Sequence, residues 1–383
     1  LINYFAVHFS TQPSKSTICA LTLSLRISSI ELRQYTIQEF VMQEKQKIIL
    51  IGLGKVGHEV IRQLDDCALP LEVCALADST AYVAGDPLDT QLINSAIHAK
   101  ALGESLASLP NAQPLKALSD HFNKGTIIVD TSAARGIDWG NAIKNECKLV
   151  FANKNAHAAP WAQASILYNQ PGIRYESTVG AGLPVIASLR SQVVSGDRIT
   201  CIEGVMSGTL GYLCSQLEAG VSYSQAIKQA FDAGYTEPDP RDDLSGFDVL
   251  RKALILARTA GWHLEERDFT IELLYDERLV GMPVAEFFNL TPLLDETYAQ
   301  RIEKATREGR VLRYLATITS KGGKIGLQAV ERSSQVGALQ GPGNYFAIYS
   351  QRYNKIPLAI AGPGAGIEVT ANGVLNDIIA LLR

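Results

Sequence analysis

Residues 235–252 read YTEPDPRDDLSGFDVLRK and set Glu237, Asp239, Asp242, Asp243 and Asp248 around Arg241, Arg251 and Lys252. Carboxylates grouped this way can hold an ammonium group, and a lysine among them can give or take a proton. Pro238 and Pro240 stiffen the turn that carries the acids. Asp248 and Lys252 are four residues apart and so share one face of a helix. A lysine beside carboxylates stays charged and acts as an acid toward a developing alkoxide, unless it is desolvated. A simpler account competes: Ser245 can cap the helix, Asp248 can complete a near-capping box, and Arg251 and Lys252 can face solvent. A cap leaves Glu237 and Asp243 without a purpose, so the stretch reads as a site.

Two other stretches carry chemistry. In ANK, residues 152–154, Lys154 follows Asn153 at the carboxyl end of an expected parallel strand, where open α/β sheets bind ligands. ESTVGAGLP, residues 176–184, offers Glu176 and the carbonyls of a bent, glycine-rich backbone. Hard cations take oxygen ligands of this kind, although the stretch read alone is more simply the entry to a helix.

These residues need a scaffold, and IGLGKVG begins it. Gly52, Gly54 and Gly57 follow an apolar run in G-x-G-x-x-G order, with Lys55 and Val56 between the last two. The first glycine permits a tight turn, the second lets a pyrophosphate approach, and the third packs helix on strand, so that the helix amides face the phosphates. Asp78 ends a second strand, 21 residues beyond Gly57. That is where a carboxylate accepts a hydrogen bond from an adenosine ribose and repels a 2′-phosphate. Use of both NAD(H) and NADP(H) is therefore expected. TIIVDTSA and KLVFANK are further buried strands separated by helical stretches such as GNAIKNE, a pattern that implies a parallel sheet covered on both faces. Residues 200–320 read as mostly helical, with strands near 199–206 and 311–319. Strand-like segments return in KIGLQAVER and NYFAIYSQRYN, and the chain closes with a strand, a glycine turn and a helix.

The 383 residues, 46% hydrophobic and 19% charged with a net charge of −4, suit a globular protein with two cored domains and no nucleic-acid footprint. No apolar run is long enough to span a bilayer. Six scattered cysteines without a CxxC pair argue for reduced thiols and a cytoplasmic location, and the six histidines show no metal-binding spacing. Residues 1–44 read as an irregular leader, poorly ordered or non-native.

GLGKVG, ANK, ESTVGAGLP, EGVMSGTLGYL, GYTEPDPRDDLSGFDVLRK and GPGAGIEVTANGVLND run in order from about residue 47 to the end of the chain. In these motifs the sequence resembles the homoserine dehydrogenase family, most closely the dehydrogenase portion of bifunctional aspartokinase–homoserine dehydrogenases. The resemblance implies an α/β fold, with a Rossmann-type parallel-sheet nucleotide domain over 45–181 completed by 366–383, and an α+β catalytic and dimerisation region over 182–365. It implies NAD(P)-dependent interconversion of L-homoserine and L-aspartate 4-semialdehyde, a step toward threonine and methionine. By the same resemblance Gly234 and Glu237 hold the amino-acid end of the substrate, and Asp243 and Asp248 organise the pocket. Lys252 protonates the carbonyl as hydride arrives, and Lys154 lies beside cofactor and substrate. Thr131, Ser132 and the GPGAG turn with Gly366 adjoin the cofactor. Glu176, Val179, Ala181 and Leu183 match a monovalent-cation loop, usually for sodium.

A homodimer with dimer strands at about 313–360 is implied as well. With no kinase or regulatory portion in the sequence, the expectation is a stand-alone dehydrogenase insensitive to threonine. Aspartate-semialdehyde dehydrogenase is disfavoured, because no cysteine has the setting of its nucleophile. A catalytically inactive NAD(P)-binding sensor is the other alternative, and the intact cluster argues against it.

Overall fold

Short β-branched runs alternate with helices in the amino-terminal half, and they assemble as the alternation requires. The structure is a computed structural model that describes residues 45–67 and 69–382; the expected leader, residues 1–44, lies outside them. β1 (Gln46–Ile51) pairs in parallel with β2 (Leu71–Ala77) and with β5 (Ile127–Asp130). β6 (Lys148–Phe151) and β7 (Ile173–Arg174) extend the sheet in parallel beyond β5. Its order is β4-β3-β2-β1-β5-β6-β7.

The outer strands β3 (Ala81–Ala84) and β4 (Gln113–Pro114) are antiparallel, which departs from the all-parallel expectation. Only residues 78–80 separate β2 from β3. A link that short makes a hairpin, whereas a parallel crossover needs a dozen residues or more.

Ile48, Leu50, Val129 and Val150 are fully buried in this layer. They share one core with Val60 and Ile61 of α1 (Lys55–Asp66) and with Ala371, Val374 and Ile378 of the last helix, Ile367–Leu382. The end of the chain thus returns to cover the first sheet beside its first helix.

The second sheet has the order β13-β12-β8-β10-β11-β9. β8 (Ile199–Val205) pairs antiparallel with both β10 (Arg310–Thr319) and β12 (Gly343–Ser350). β11 (Gly322–Glu331) forms a full-length hairpin with β10 and pairs in parallel with the short β9 (Phe269–Ile271), while β13 (Leu358–Pro363) is the far edge. Between the sheets runs the helix Phe247–Thr259, buried from Val249 onward except for Arg251. It packs against the short helix Lys154–Ala158 on one side and β10 on the other. A helix buried on nearly all sides must find partners for its cations, and those partners define the site. Among the described residues, no helix is long and apolar enough to cross a membrane.

Candidate active site

The helix Phe247–Thr259 presents Asp248, Arg251 and Lys252 to a cavity of about 1260 Å³ between the two sheets. Asp248 joins two lysines from distant parts of the chain. Its Oδ1 is 2.9 Å from Lys154 Nζ and its Oδ2 is 2.8 Å from Lys252 Nζ. Lys252 also donates to the Met206 carbonyl at 2.6 Å. Burial pushes the Lys252 ammonium below the usual lysine range, and Asp248 offsets part of that. Burial alone would raise Asp248, but Lys252 and Lys154 outweigh it and hold the carboxyl well below the usual range. The result is a lysine that can change protonation during a reaction beside a carboxylate that stays ionised.

The helix entry differs from the capping reading. Gly246, at φ 71°, leads into the helix, Phe247 N donates to Ser245 Oγ at 3.3 Å, and Ser245 Oγ donates to the Asp242 carbonyl. Asp248 turns to the lysines instead of back onto the cap.

The turn before this helix lines another part of the cavity with Gly234, Glu237, Asp242 and Asp243. Asp239 caps the helix Pro240–Leu244, whose Pro240 needs no amide partner in the first turn. Asp243 Oδ2 accepts the Glu237 amide at 2.8 Å, and burial raises this carboxyl above the usual range. Among the described residues no group donates to the Glu237 carboxylate, which leaves it open to a ligand. Asp239 and Arg241 leave the cluster: they pair with each other, and Arg241 fastens the carbonyls of Leu279 and Met282.

Two residues that the sequence reading passed over hold this geometry. Thr209 Oγ1 lies 2.6 Å from the Tyr235 carbonyl and 2.9 Å from Asp243 Oδ1, so its one proton fixes the acidic turn to the helix Gly208–Glu218. Arg258, fully buried, donates to the carbonyls of His157 and Ala159 at 2.8 and 2.7 Å and pairs with Glu265. It ties the Lys154 helix to the Lys252 helix and so sets the spacing of the two lysines. A long cation near the end of a wholly apolar helix face was the available signal.

The glycine turn fits a pyrophosphate. Gly52 has φ 96°, and a Cβ there would lie 2.5 Å from Ser132 N, while one on Gly57 would lie 2.1 Å from the Gly52 carbonyl. Beside Gly54 there is open space, and α1 begins with no side-chain cap, which leaves its first amides free to meet an anion. Thr131 Oγ1 donates to the Gly52 carbonyl at 2.6 Å, and Asp130 accepts from both N and Oγ of Ser132. Val56, Thr131, Lys154 and Gly366 all line the cavity, and Lys55 is exposed outside it.

Asp78 departs from its expected role. It is buried, and its oxygens accept from Thr80 N and Oγ1, Ala81 N, Leu106 N and Lys100 Nζ at 2.7–3.1 Å. Those bonds overcome desolvation and hold the carboxyl far below the usual range. The side chain builds the β2–β3 hairpin, and no acceptor position remains for a ribose hydroxyl.

The loop proposed for a cation bends as expected, with Gly180 at φ 80° and Ala181 at φ 56°. Val179 is buried, and Leu183 closes the turn by donating to the Gly180 carbonyl. The Glu176 carboxylate accepts the amides of Ile186 and Ala187 at 2.7 and 2.8 Å and so caps the helix Val185–Val194. Asp377 Oδ2 accepts the Glu176 amide at 2.7 Å. Burial raises both Glu176 and Asp377 to about 7. The Arg190 guanidinium offsets part of that rise in both groups.

The sequence model described as homoserine dehydrogenase matches residues 184–379. The homoserine dehydrogenase of Paracoccidioides brasiliensis is 36% identical over 361 residues, covering 87% of this chain and 97% of that one. The chain belongs to the homoserine dehydrogenase family. A maize chloroplastic bifunctional aspartokinase/homoserine dehydrogenase is 34% identical over 364 residues, and there the match covers 89% of this chain but 39% of the longer relative. A hyperthermophilic archaeal homoserine dehydrogenase, solved in complex with NADPH, shares the fold at a TM-score of 0.64 and 22% identity, with 87% of this chain and 96% of that one covered.

Proposed function

We propose that this chain is an NAD(P)-dependent homoserine dehydrogenase that interconverts L-homoserine and L-aspartate 4-semialdehyde. The observation that carries the reading is the Lys154–Asp248–Lys252 bridge, in one cavity with the open Glu237 carboxylate and the glycine turns at Val56 and Gly366. When bound, the nicotinamide gives or takes the hydride. Everything else falls to the chain. Glu237 holds the substrate ammonium, with Asp243 fixing the turn through the Glu237 amide. Lys252 gives its proton to the carbonyl oxygen during reduction and recovers it during oxidation. Asp248 keeps Lys252 and Lys154 oriented and, as an ionised neighbour, keeps the ammonium form accessible despite burial. Lys154 stabilises negative charge on the same oxygen.

Gly52, Gly54 and the first amides of α1 would take the pyrophosphate. NADP(H) is the cofactor favoured here, because Asp78 leaves no free carboxylate to select a ribose hydroxyl. This agrees with the NADPH bound by the archaeal relative. A sodium ion at Glu176, Val179, Ala181 and Leu183, a homodimer through strands at about 313–360, a cytoplasmic location and a place in threonine and methionine synthesis complete the proposal, on the family resemblance. The test follows nicotinamide reduction with L-homoserine and its reversal with L-aspartate 4-semialdehyde, each product being identified by mass. Turnover of simple alcohols in preference to L-homoserine would refute the reading.

A further inference from the structure

Asp248 meets more positive charge than it can balance. Lys154 and Lys252 each engage one of its oxygens, and the Arg251 guanidinium stands 3.8 Å from the oxygen that Lys154 already uses. Three cations on one carboxylate leave two positive charges uncompensated. The lysines are held, but Arg251 is not. Among the described residues its side chain makes no hydrogen bond, and its Nε is buried without a partner. A guanidinium has five donors in a rigid fork, and one that is two-thirds buried and unfilled is a costly arrangement without a ligand. Arg135, also at the cavity, is exposed and can be satisfied by water.

Arg251 lies one residue before Lys252, and its side chain lines the same cavity. That cavity also holds Glu237 and Asp243. A cavity with an open acid for an ammonium and an open guanidinium for an anion matches a zwitterionic amino acid. We propose that Arg251 binds the α-carboxylate of the substrate through a forked pair of hydrogen bonds and so selects amino-acid alcohols over uncharged alcohols. The proposal rests on the function given above and adds the residue that reads the carboxylate.

The test compares wild type with Arg251→Gln and Arg251→Lys. It uses L-homoserine as substrate and two dead-end ligands, L-2-aminobutanoate and its carboxamide, which keeps the ammonium and lacks the carboxylate, with thermal melts to confirm folding. Arg251→Gln should raise KM for L-homoserine about 30-fold or more, with the loss falling on KM and not on kcat. It should weaken L-2-aminobutanoate by a similar factor and change the amide by less than about threefold. Arg251→Lys, which keeps the charge without the fork, should fall between, and it serves if the glutamine variant does not fold. An unchanged KM, or equal losses for acid and amide, would overturn the proposal, since a merely structural role moves both ligands alike. The two ligands are also measured by calorimetry with NADP⁺ present. If wild type is inert toward L-homoserine but binds the acid through Arg251, the proposed function fails and the carboxylate site stands.

Discussion

Replacing Asp248 by asparagine keeps the shape of the side chain and removes the charge that two lysines share. Asp248 lies 2.8–2.9 Å from both ammonium nitrogens. At the effective dielectric of about 20 that suits such sites, unit charges about 4 Å apart interact by roughly 4 kcal/mol. The side chain is 36% exposed, so water screens about half of this and leaves roughly 2 kcal/mol for each lysine. That is about a 30-fold shift of the ammonium form relative to the amine. Burial already pushes Lys252 down, and losing its anionic neighbour pushes it further in the same direction. Reduction of the aldehyde needs the ammonium, so its basic limb should move to lower pH. Reduction near neutrality should fall by up to about 30-fold, while cofactor affinity holds. Oxidation needs the amine as base and should suffer less. The assay is kcat/KM against pH in both directions, beside a fluorescence titration with NADPH. A basic limb at the wild-type pH, with a loss under about threefold, would refute the argument.

Three other perturbations probe the scaffold. Glu176 and Asp377 are raised to about 7 by burial, against unfolded values near 4, so the stability they contribute is present at low pH and is lost as pH rises through about 7. Asp377→Asn keeps an acceptor for the Glu176 amide and should flatten the fall in Tm between about pH 5 and pH 8 in cation-free buffer; an unchanged slope would count against it. Gly54→Ala has open space and should keep its Tm while losing NADP(H) affinity by calorimetry, whereas Gly57→Ala would press on the Gly52 carbonyl and should lose soluble protein; the reverse order would contradict the turn geometry. Asp78→Ala strands two backbone amides that are buried against it and should cost about 2–4 kcal/mol in urea unfolding. A pure switch of cofactor preference at full stability would mean that Asp78 does face the ribose.

The strand–turn–helix at 46–66 was legible because only glycines satisfy the tight turn and the close helix packing found there. Asp248 and Lys252 were legible as a pair because four residues make one helix turn. What the sequence could not show depends on packing between distant elements. That Asp248 also holds Lys154 follows from Arg258 gripping the carboxyl end of the Lys154 helix at 157–159. Asp78 is the instructive miss: an acid after the second strand fits either a ribose or its own hairpin. Leu106 and Lys100, from another part of the chain, decide for the hairpin. The outer strands β3 and β4, four and two residues long, carry too little periodicity to be read.

The central claim is that Lys252 moves the proton in an L-homoserine dehydrogenase. Its most direct test is the turnover of L-homoserine by wild type and Lys252→Ala, side by side, with cofactor binding measured on both. The account predicts substrate-dependent nicotinamide reduction by wild type, and a loss of about 10²–10⁴-fold in kcat for the variant at unchanged cofactor affinity. No reduction by wild type, or a variant within about threefold of it, would contradict the account.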